Sequence, residues 1–118
     1  MKSILVVDDE PAVTRLVAKA IPPEYHVVTA HSGEEALIRS KTGPPDLLIT
    51  DYSMPGMNGD ELASRMRERY PGVKTLMLTG FGEFLEGQPP AVDARLVKPL
   101  DVRALRNVIA ALIGQSHP

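Results

Sequence analysis

Cysteine and tryptophan are both absent from the 118 residues. Without cysteine there is no disulfide framework, no thiolate metal site and no thiol nucleophile. Aromatic residues make up 4% of the chain, three Tyr and two Phe, too few to build stacking platforms for bases or sugars. A basic excess is also missing. Lys and Arg number 13 against 15 Asp and Glu, a net charge of −2, so the chain carries no nucleic-acid footprint. No apolar run is long enough to cross a bilayer. The opening Met1-Lys2-Ser3-Ile4-Leu5-Val6-Val7-Asp8 meets an acid too soon to be a signal peptide. These absences point to a cytoplasmic protein with no membrane insertion and no direct nucleic-acid partner.

What is present suits one globular domain spanning residues 1–118, with 43% hydrophobic and 24% charged residues. Two kinds of segment alternate. Ile4–Val7, His26–Thr29, Asp46–Thr50, Lys74–Leu78 and Ala94–Val97 are short, apolar and rich in branched side chains. Such runs suit strands covered on both faces, as in a parallel sheet. Between them the apolar residues recur at helical spacing: Val13, Leu16, Val17, Ala20 and Ile21; Ala36 and Leu37; Leu62, Ala63 and Met66; and Val102, Leu105, Val108, Ile109, Leu112 and Ile113. Ser32 with Glu35 and Asn58 with Glu61 read as capping boxes or close kin, and Asp101 as a cap for the last helix. Pro22-Pro23, Gly43-Pro44-Pro45 and Pro71-Gly72 mark helix ends. Strands that alternate with helices predict a parallel α/β sheet with right-handed crossovers. One helix is eroded. Gly80 to Pro90 holds three glycines and two prolines, which predicts a short or irregular turn between the fourth and fifth strands.

In an open parallel sheet, ligands bind beyond the carboxyl ends of the strands. The residues there are Asp8, Asp9 and Glu10 after the first strand, Asp51 after the third, Thr79 and Gly80 after the fourth, and Lys98 and Pro99 after the fifth. If the first and third strands are neighbours, Asp8, Asp9 and Asp51 crowd together. Like charges about 4 Å apart repel by roughly 4 kcal/mol at an effective dielectric near 20. The cluster must protonate, pair with Lys98 or bind a hard cation. Oxygen ligands at a solvated edge favour Mg²⁺, which keeps several waters and recruits phosphate. A lysine and a hydroxyl opposite such a group make a clamp for a phosphoryl oxygen, and an aspartate can itself become the acceptor as an acyl phosphate.

With those residues placed, the sequence resembles the receiver domain of bacterial two-component response regulators. The resemblance covers essentially the whole chain. It rests on Val7-Asp8-Asp9-Glu10-Pro11, on Pro45 to Gly59 with Asp51-Tyr52-Ser53-Met54-Pro55 at its centre, on Leu78-Thr79-Gly80, and on Val97-Lys98-Pro99-Leu100. It implies a flavodoxin-like doubly wound sandwich, a five-stranded parallel sheet in the order 2-1-3-4-5 with helices on both faces. It implies that Asp51 accepts a phosphoryl group from the phosphohistidine of a sensor histidine kinase or phosphotransfer domain, and that the change of state controls a downstream effector protein. Asp9 and Asp51 would bind Mg²⁺ directly, Asp8 largely through water, and the Ser53 carbonyl would be a further ligand. Lys98 would pair with the phosphoryl group and, at rest, with Asp51. Thr79 would donate its hydroxyl to the phosphoryl group and carry the switch. The backbone amides of Tyr52 and Gly80 would complete the cradle, and a cis peptide would join Lys98 to Pro99. The run Leu78-Thr79-Gly80-Phe81-Gly82 with a following Pro-Pro also resembles receivers attached to hybrid histidine kinases.

The chain departs from the family in two places. Three residues before the lysine, where the family has Tyr or Phe, stands Arg95, and a guanidinium cannot fill an apolar pocket as a ring does. The connection from Thr79 to Lys98 is also shorter than usual. Both changes suggest output through another surface, or a loop that changes order. Two competing functions follow. A Mg²⁺-dependent phosphohydrolase would carry a second acid two residues after its nucleophile, where this chain has Ser53. A receiver-like interaction module with altered or phosphorylation-independent output is the alternative that Arg95 favours. Taken singly, Asp8-Asp9 reads as an acidic turn, Thr79 as a strand-end hydroxyl and Lys98 as a surface charge. His26, His31 and His117 read as surface residues, and Met54, Met57, Met66 and Met77 as packing.

Overall fold

The computed structural model describes residues 1–80 and 91–114. Five strands alternate with helices: β1 (Ser3–Val7), α1 (Pro11–Ala20), β2 (His26–Ala30), α2 (Gly33–Ser40), β3 (Leu47–Asp51), α3 (Gly59–Arg69), β4 (Lys74–Thr79), β5 (Ala94–Val97) and α4 (Val102–Ile113). All ladders are parallel, and the sheet order is β2-β1-β3-β4-β5. The expected turn between the fourth and fifth strands falls on residues 81–90, outside the described residues.

The continuous apolar runs are explained by the two faces they serve. Ile4, Val6, Leu47, Ile49, Leu76 and Leu78 pack on one side with Val17 of α1 and with Leu105 and Ile109 of α4. Their alternate neighbours Leu5, Val7, Leu48 and Met77 pack on the other side with Leu37 of α2 and with Leu62 and Met66 of α3. A strand buried on both faces has no polar side to alternate with. Met54, Met57, Met66 and Met77 are all buried, as packing residues should be.

The helix starts follow local chemistry. Ser32 Oγ accepts from the Glu35 amide at 3.0 Å, Asn58 Oδ1 from the Glu61 amide at 2.9 Å, and Asp101 Oδ1 from the Arg103 amide at 2.9 Å. The Glu61 carboxylate does not reach back to complete a capping box. It pairs with Arg65 one turn on, at 2.7 Å. The helical stripes are narrower than their sequence pattern. Leu16 and Val102 are 59% and 43% exposed, because only about a third of a helix surface faces the sheet. The end of α4 is tied to the rest of the molecule by Tyr25, whose hydroxyl donates to the Gly114 carbonyl at 2.6 Å, and by Arg106, whose Nε donates to the Ala20 carbonyl at 2.8 Å.

Candidate functional site

Strand register brings the acids together. Val7 of β1 pairs with Thr50 of β3, so the next residues, Asp8 just past β1 and Asp51 at the end of β3, stand side by side. This is also where the strand order reverses, with β2 on one side of β1 and β3 on the other, and parallel sheets open a crevice at that point. Asp8, Asp9 and Asp51 each offer a carboxylate oxygen, and these oxygens lie within 4.8 Å of one another. Asp8 and Asp51 are buried and Asp9 is exposed.

Lys98 arrives from the far side of the sheet. Thr79 pairs with Val97, and the Lys98 amide donates to the Thr79 carbonyl at 2.8 Å, which fixes the lysine just beyond the strand ends. The Lys98–Pro99 peptide is cis. The Lys98 ammonium stands 2.9 Å from Asp51 Oδ1 and 3.5 Å from Asp8 Oδ2. Burial alone would lower the pKa of this amine, but the Asp51 and Asp8 carboxylates more than reverse it, and the net shift is upward. The Asp8 carboxyl is raised by burial, and by the nearby charges of Asp51 and Asp9. The Glu10 amide, donating to Asp8 Oδ1 at 2.9 Å, and the Lys98 charge act against that rise. Asp8 Oδ2 is sealed from water and makes no hydrogen bond among the described residues.

Thr79 ends β4 and is buried. Gly59 lets α3 start directly on the carboxyl end of β3, with its amide donating to the Tyr52 carbonyl at 2.9 Å. The Tyr52 amide is itself engaged, donating to the Leu78 carbonyl at 3.0 Å, and must exchange that bond to reach any ligand. The neighbouring Ser53 amide has no acceptor among the described residues. A residue continuing β3 pairs with β4, so the first amide left open to a ligand comes one position after Tyr52. An open cavity of about 480 Å³ runs beside it, lined by Tyr52, Ser53, Met54, Pro55, Gly56 and Asn58. A second cavity, of about 300 Å³, lies at the opposite end of the strands between β1, β2 and the end of α2, away from the acids.

Among the described residues no helix is long and apolar enough to cross a membrane. Two buried acids and an exposed one against one ammonium, with the Thr79 hydroxyl and the Ser53 amide at the same end of the strands, form a site for a hard cation and a phosphoryl oxygen.

Comparison with known proteins agrees with this chemistry. Residues 4–110 match the response regulator receiver domain. The chain is 38% identical over 78 residues to hybrid signal transduction histidine kinase D of Dictyostelium discoideum, covering 64% of this chain and 5% of that protein. It is 33% identical over 120 residues to the alkaline phosphatase synthesis transcriptional regulatory protein PhoP of Bacillus subtilis, covering 98% of this chain and 50% of that protein. The chain thus spans at most about half the length of these two relatives. Among solved structures it is similar to response regulator protein TrrA of Thermotoga maritima in complex with Mg²⁺–BeF, with 35% identity, a TM-score of 0.82, and coverage of 95% of this chain and 99% of that one. TrrA has also been solved in complex with histidine kinase ThkA (34% identity, TM-score 0.81, covering 96% of this chain and 99% of TrrA). With the fold, the acid cluster and the matched residues in agreement, the chain belongs to the response regulator receiver domain family.

Proposed function

We propose that Asp51 is the phosphoacceptor of a two-component signalling switch, loaded by the phosphohistidine of a sensor histidine kinase or phosphotransfer domain, or by a small phosphodonor. The observation that carries this reading is the Lys98 ammonium held 2.9 Å from Asp51 Oδ1 and 3.5 Å from Asp8 Oδ2, at the rim where Asp9 also converges. In the step, an Asp51 carboxylate oxygen attacks phosphorus. The new P–O bond forms as the P–N bond to the donor imidazole breaks, and the leaving ring takes up a proton. Lys98 follows the incoming phosphoryl oxygens, and the Thr79 hydroxyl donates to one of them. The Gly80 amide and the Ser53 amide complete the cradle, with the Tyr52 amide joining only if it leaves Leu78.

Mg²⁺ fits this site. The carboxylate oxygens lie within 4.8 Å of one another, and among the described residues the buried Asp8 Oδ2 makes no hydrogen bond beyond its 3.5 Å approach to the Lys98 ammonium. Asp9, Asp51 and the Ser53 carbonyl would hold the ion directly and Asp8 largely through water. When bound, it neutralises charge on the phosphoryl oxygens. The switch acts in the cytoplasm on a downstream effector protein; among the described residues no helix is long and apolar enough to cross a membrane.

Phosphoramidate, a simple P–N donor, tests the reaction. With Mg²⁺ it should label the protein once, with an acid-stable and base-labile adduct typical of an acyl phosphate. Continuous phosphate release from unrelated monoesters would instead indicate a hydrolase, and no label would indicate an inert module.

Two further outcomes are expected. Mg²⁺ at a hundred times its Kd should stabilise the fold by about 2.7 kcal/mol, and Asp9→Ala should remove the effect in a thermal melt. The Mg²⁺ affinity should also fall on acidification sooner than an ordinary aspartate would cause. Asp8 must be ionised to serve the metal, and burial holds its pKa above the usual value. Calorimetric titration across pH 4.5–7.5 checks this. In the metal-free protein the sign reverses: protonating Asp8 removes a buried charge, so mild acidification adds stability through this group.

A further inference from the structure

We propose that His31 is a positioning residue for the β1–α1 connection: it braces the segment from Asp8 to Pro11 and so sets where Asp9 presents its carboxylate. The role presupposes that Asp9 and Asp51 hold Mg²⁺, as in the proposed function.

The contacts form a closed circuit. At one end of the segment the Asp8 amide donates to the Ala30 carbonyl at 3.2 Å, at the end of β2. At the other end Thr14 Oγ1, one turn into α1, donates to the Pro11 carbonyl at 2.9 Å. The two ends meet at one corner, because His31, the residue after Ala30, places its Nε2 3.2 Å from Thr14 Oγ1. With the hydroxyl proton given to Pro11, the oxygen accepts from a protonated Nε2. Asp8 to Pro11 is therefore held by consecutive residues, through the Ala30 main chain and the His31 ring. Asp9 lies inside that span and is exposed, so the backbone of the span gives its carboxylate its direction.

The corner is anchored from α2. Glu35 Oε1 accepts from the His31 amide at 2.5 Å and stands 3.7 Å from Nδ1, while the Glu35 amide donates to Ser32 Oγ at 3.0 Å. A ring engaged at both nitrogens cannot turn without losing a contact. Thr14 is 2% exposed, and a buried hydroxyl keeps its partners, so the ring stays on Thr14 although its side chain is 44% exposed to water. The helices it joins lie on opposite faces of the sheet, α1 with Val17 on one and α2 with Leu37 on the other. His31 links them around β2, the outermost strand, which has a strand neighbour on one side only.

Mg²⁺ makes this stiffness matter. The ion demands near-ideal octahedral geometry, so a carboxylate on a loose span binds it poorly. Groups that orient metal ligands from outside are the ones whose loss lowers affinity while the ligands themselves remain.

Mg²⁺ titrations of the folded protein, followed by amide shifts in NMR, test the brace. His31→Ala and Thr14→Val should each weaken Mg²⁺ binding by about tenfold, the lower end of what loss of an outer-shell partner costs a metal site. The double variant should bind no more weakly than either single one. His31→Gln, whose neutral amide can donate to Thr14 from nearly the same place, should recover most of the affinity. In the metal-free protein the order parameters of the Asp9 and Glu10 amides should fall in His31→Ala and stay near wild type in His31→Gln. Thermal melts establish that the variants fold. Undiminished Mg²⁺ affinity in His31→Ala, additive losses in the double variant, or a His31→Gln as weak as His31→Ala overturns the brace and leaves the metal site intact. A wild-type protein that binds no Mg²⁺ overturns both.

Discussion

Lys98→Met is expected to destabilise the metal-free protein by on the order of 2 kcal/mol at neutral pH, and to recover much of that on mild acidification. The lysine ammonium stands 2.9 Å from Asp51 Oδ1 and 3.5 Å from Asp8 Oδ2. Removing one partner of a buried ion pair leaves the other as an uncompensated charge, at a cost of about 3–5 kcal/mol when both are sealed. The lysine side chain is 33% exposed, so solvent screening reduces that figure. The pH dependence follows from the shifts. Burial tends to lower the Lys98 pKa, yet Asp51 and Asp8 raise it overall, so its stabilisation is complete below the ordinary lysine range and is lost only as pH climbs through the raised value. Wild type therefore keeps the pair intact at neutral pH. In the variant the carboxylates lose the lysine's charge, and either a proton or Mg²⁺ can replace it. Urea unfolding at pH 7.5 and 5.5, with and without Mg²⁺, measures the difference. A variant as stable as wild type at pH 7.5, or one that loses stability on acidification, contradicts the account.

Gly59→Ala is expected to cost roughly 1–3 kcal/mol and to slow phosphorylation about tenfold or more, since an ångström of misplacement at a reacting group can cost about a hundredfold. An added Cβ would stand 2.5 Å from the Asp51 carbonyl oxygen and 3.0 Å from Tyr52 Cα, both backbone atoms that cannot rotate away. Either α3 lifts or the end of β3 shifts. Two glycines serve as controls. A Cβ on Gly33 would meet Met57, whose flexible side chain can move, and one on Gly43 would meet nothing within 4 Å. Gly43→Ala should fall within about 0.5 kcal/mol of wild type. Thermal denaturation and phosphorylation time courses on the three variants separate a clash at the site from a general loss of glycine.

The residues explain how far the sequence could be read. Runs such as Leu47–Asp51 are apolar on both faces, and only a covered parallel strand satisfies them, so the architecture was visible. The acids at the strand ends were visible for the same reason, because a strand that stops at Val7 and another that stops near Asp51 must deliver their next polar residues to one rim. Strand order was not contained in periodicity and came from the family resemblance. Side-chain exposure was harder. Leu16 fits the helical period of α1 yet is 59% exposed, because period alone does not say where the sheet ends. His31 is the surface residue that its sequence setting suggests, but periodicity could not show that its Nε2 lies 3.2 Å from Thr14 Oγ1 and its Nδ1 3.7 Å from Glu35, which ties α1 to α2. The Tyr52 amide, which the family resemblance assigns to the cradle, donates to the Leu78 carbonyl in this structure, because β3 carries its pairing one residue further. Backbone hydrogen bonds at strand ends depend on register, and one residue of register reassigns every amide.

The central claim is that convergence of Asp8, Asp9 and Lys98 makes Asp51, and no other side chain, a phosphoryl acceptor. Intact-protein mass spectrometry after treatment with acetyl phosphate tests it most directly. With Mg²⁺, wild type should gain the mass of a single phosphoryl group, while Asp51→Asn with Mg²⁺ and wild type with chelator should gain none. An equal gain in Asp51→Asn would place the phosphoryl group elsewhere and contradict the assignment.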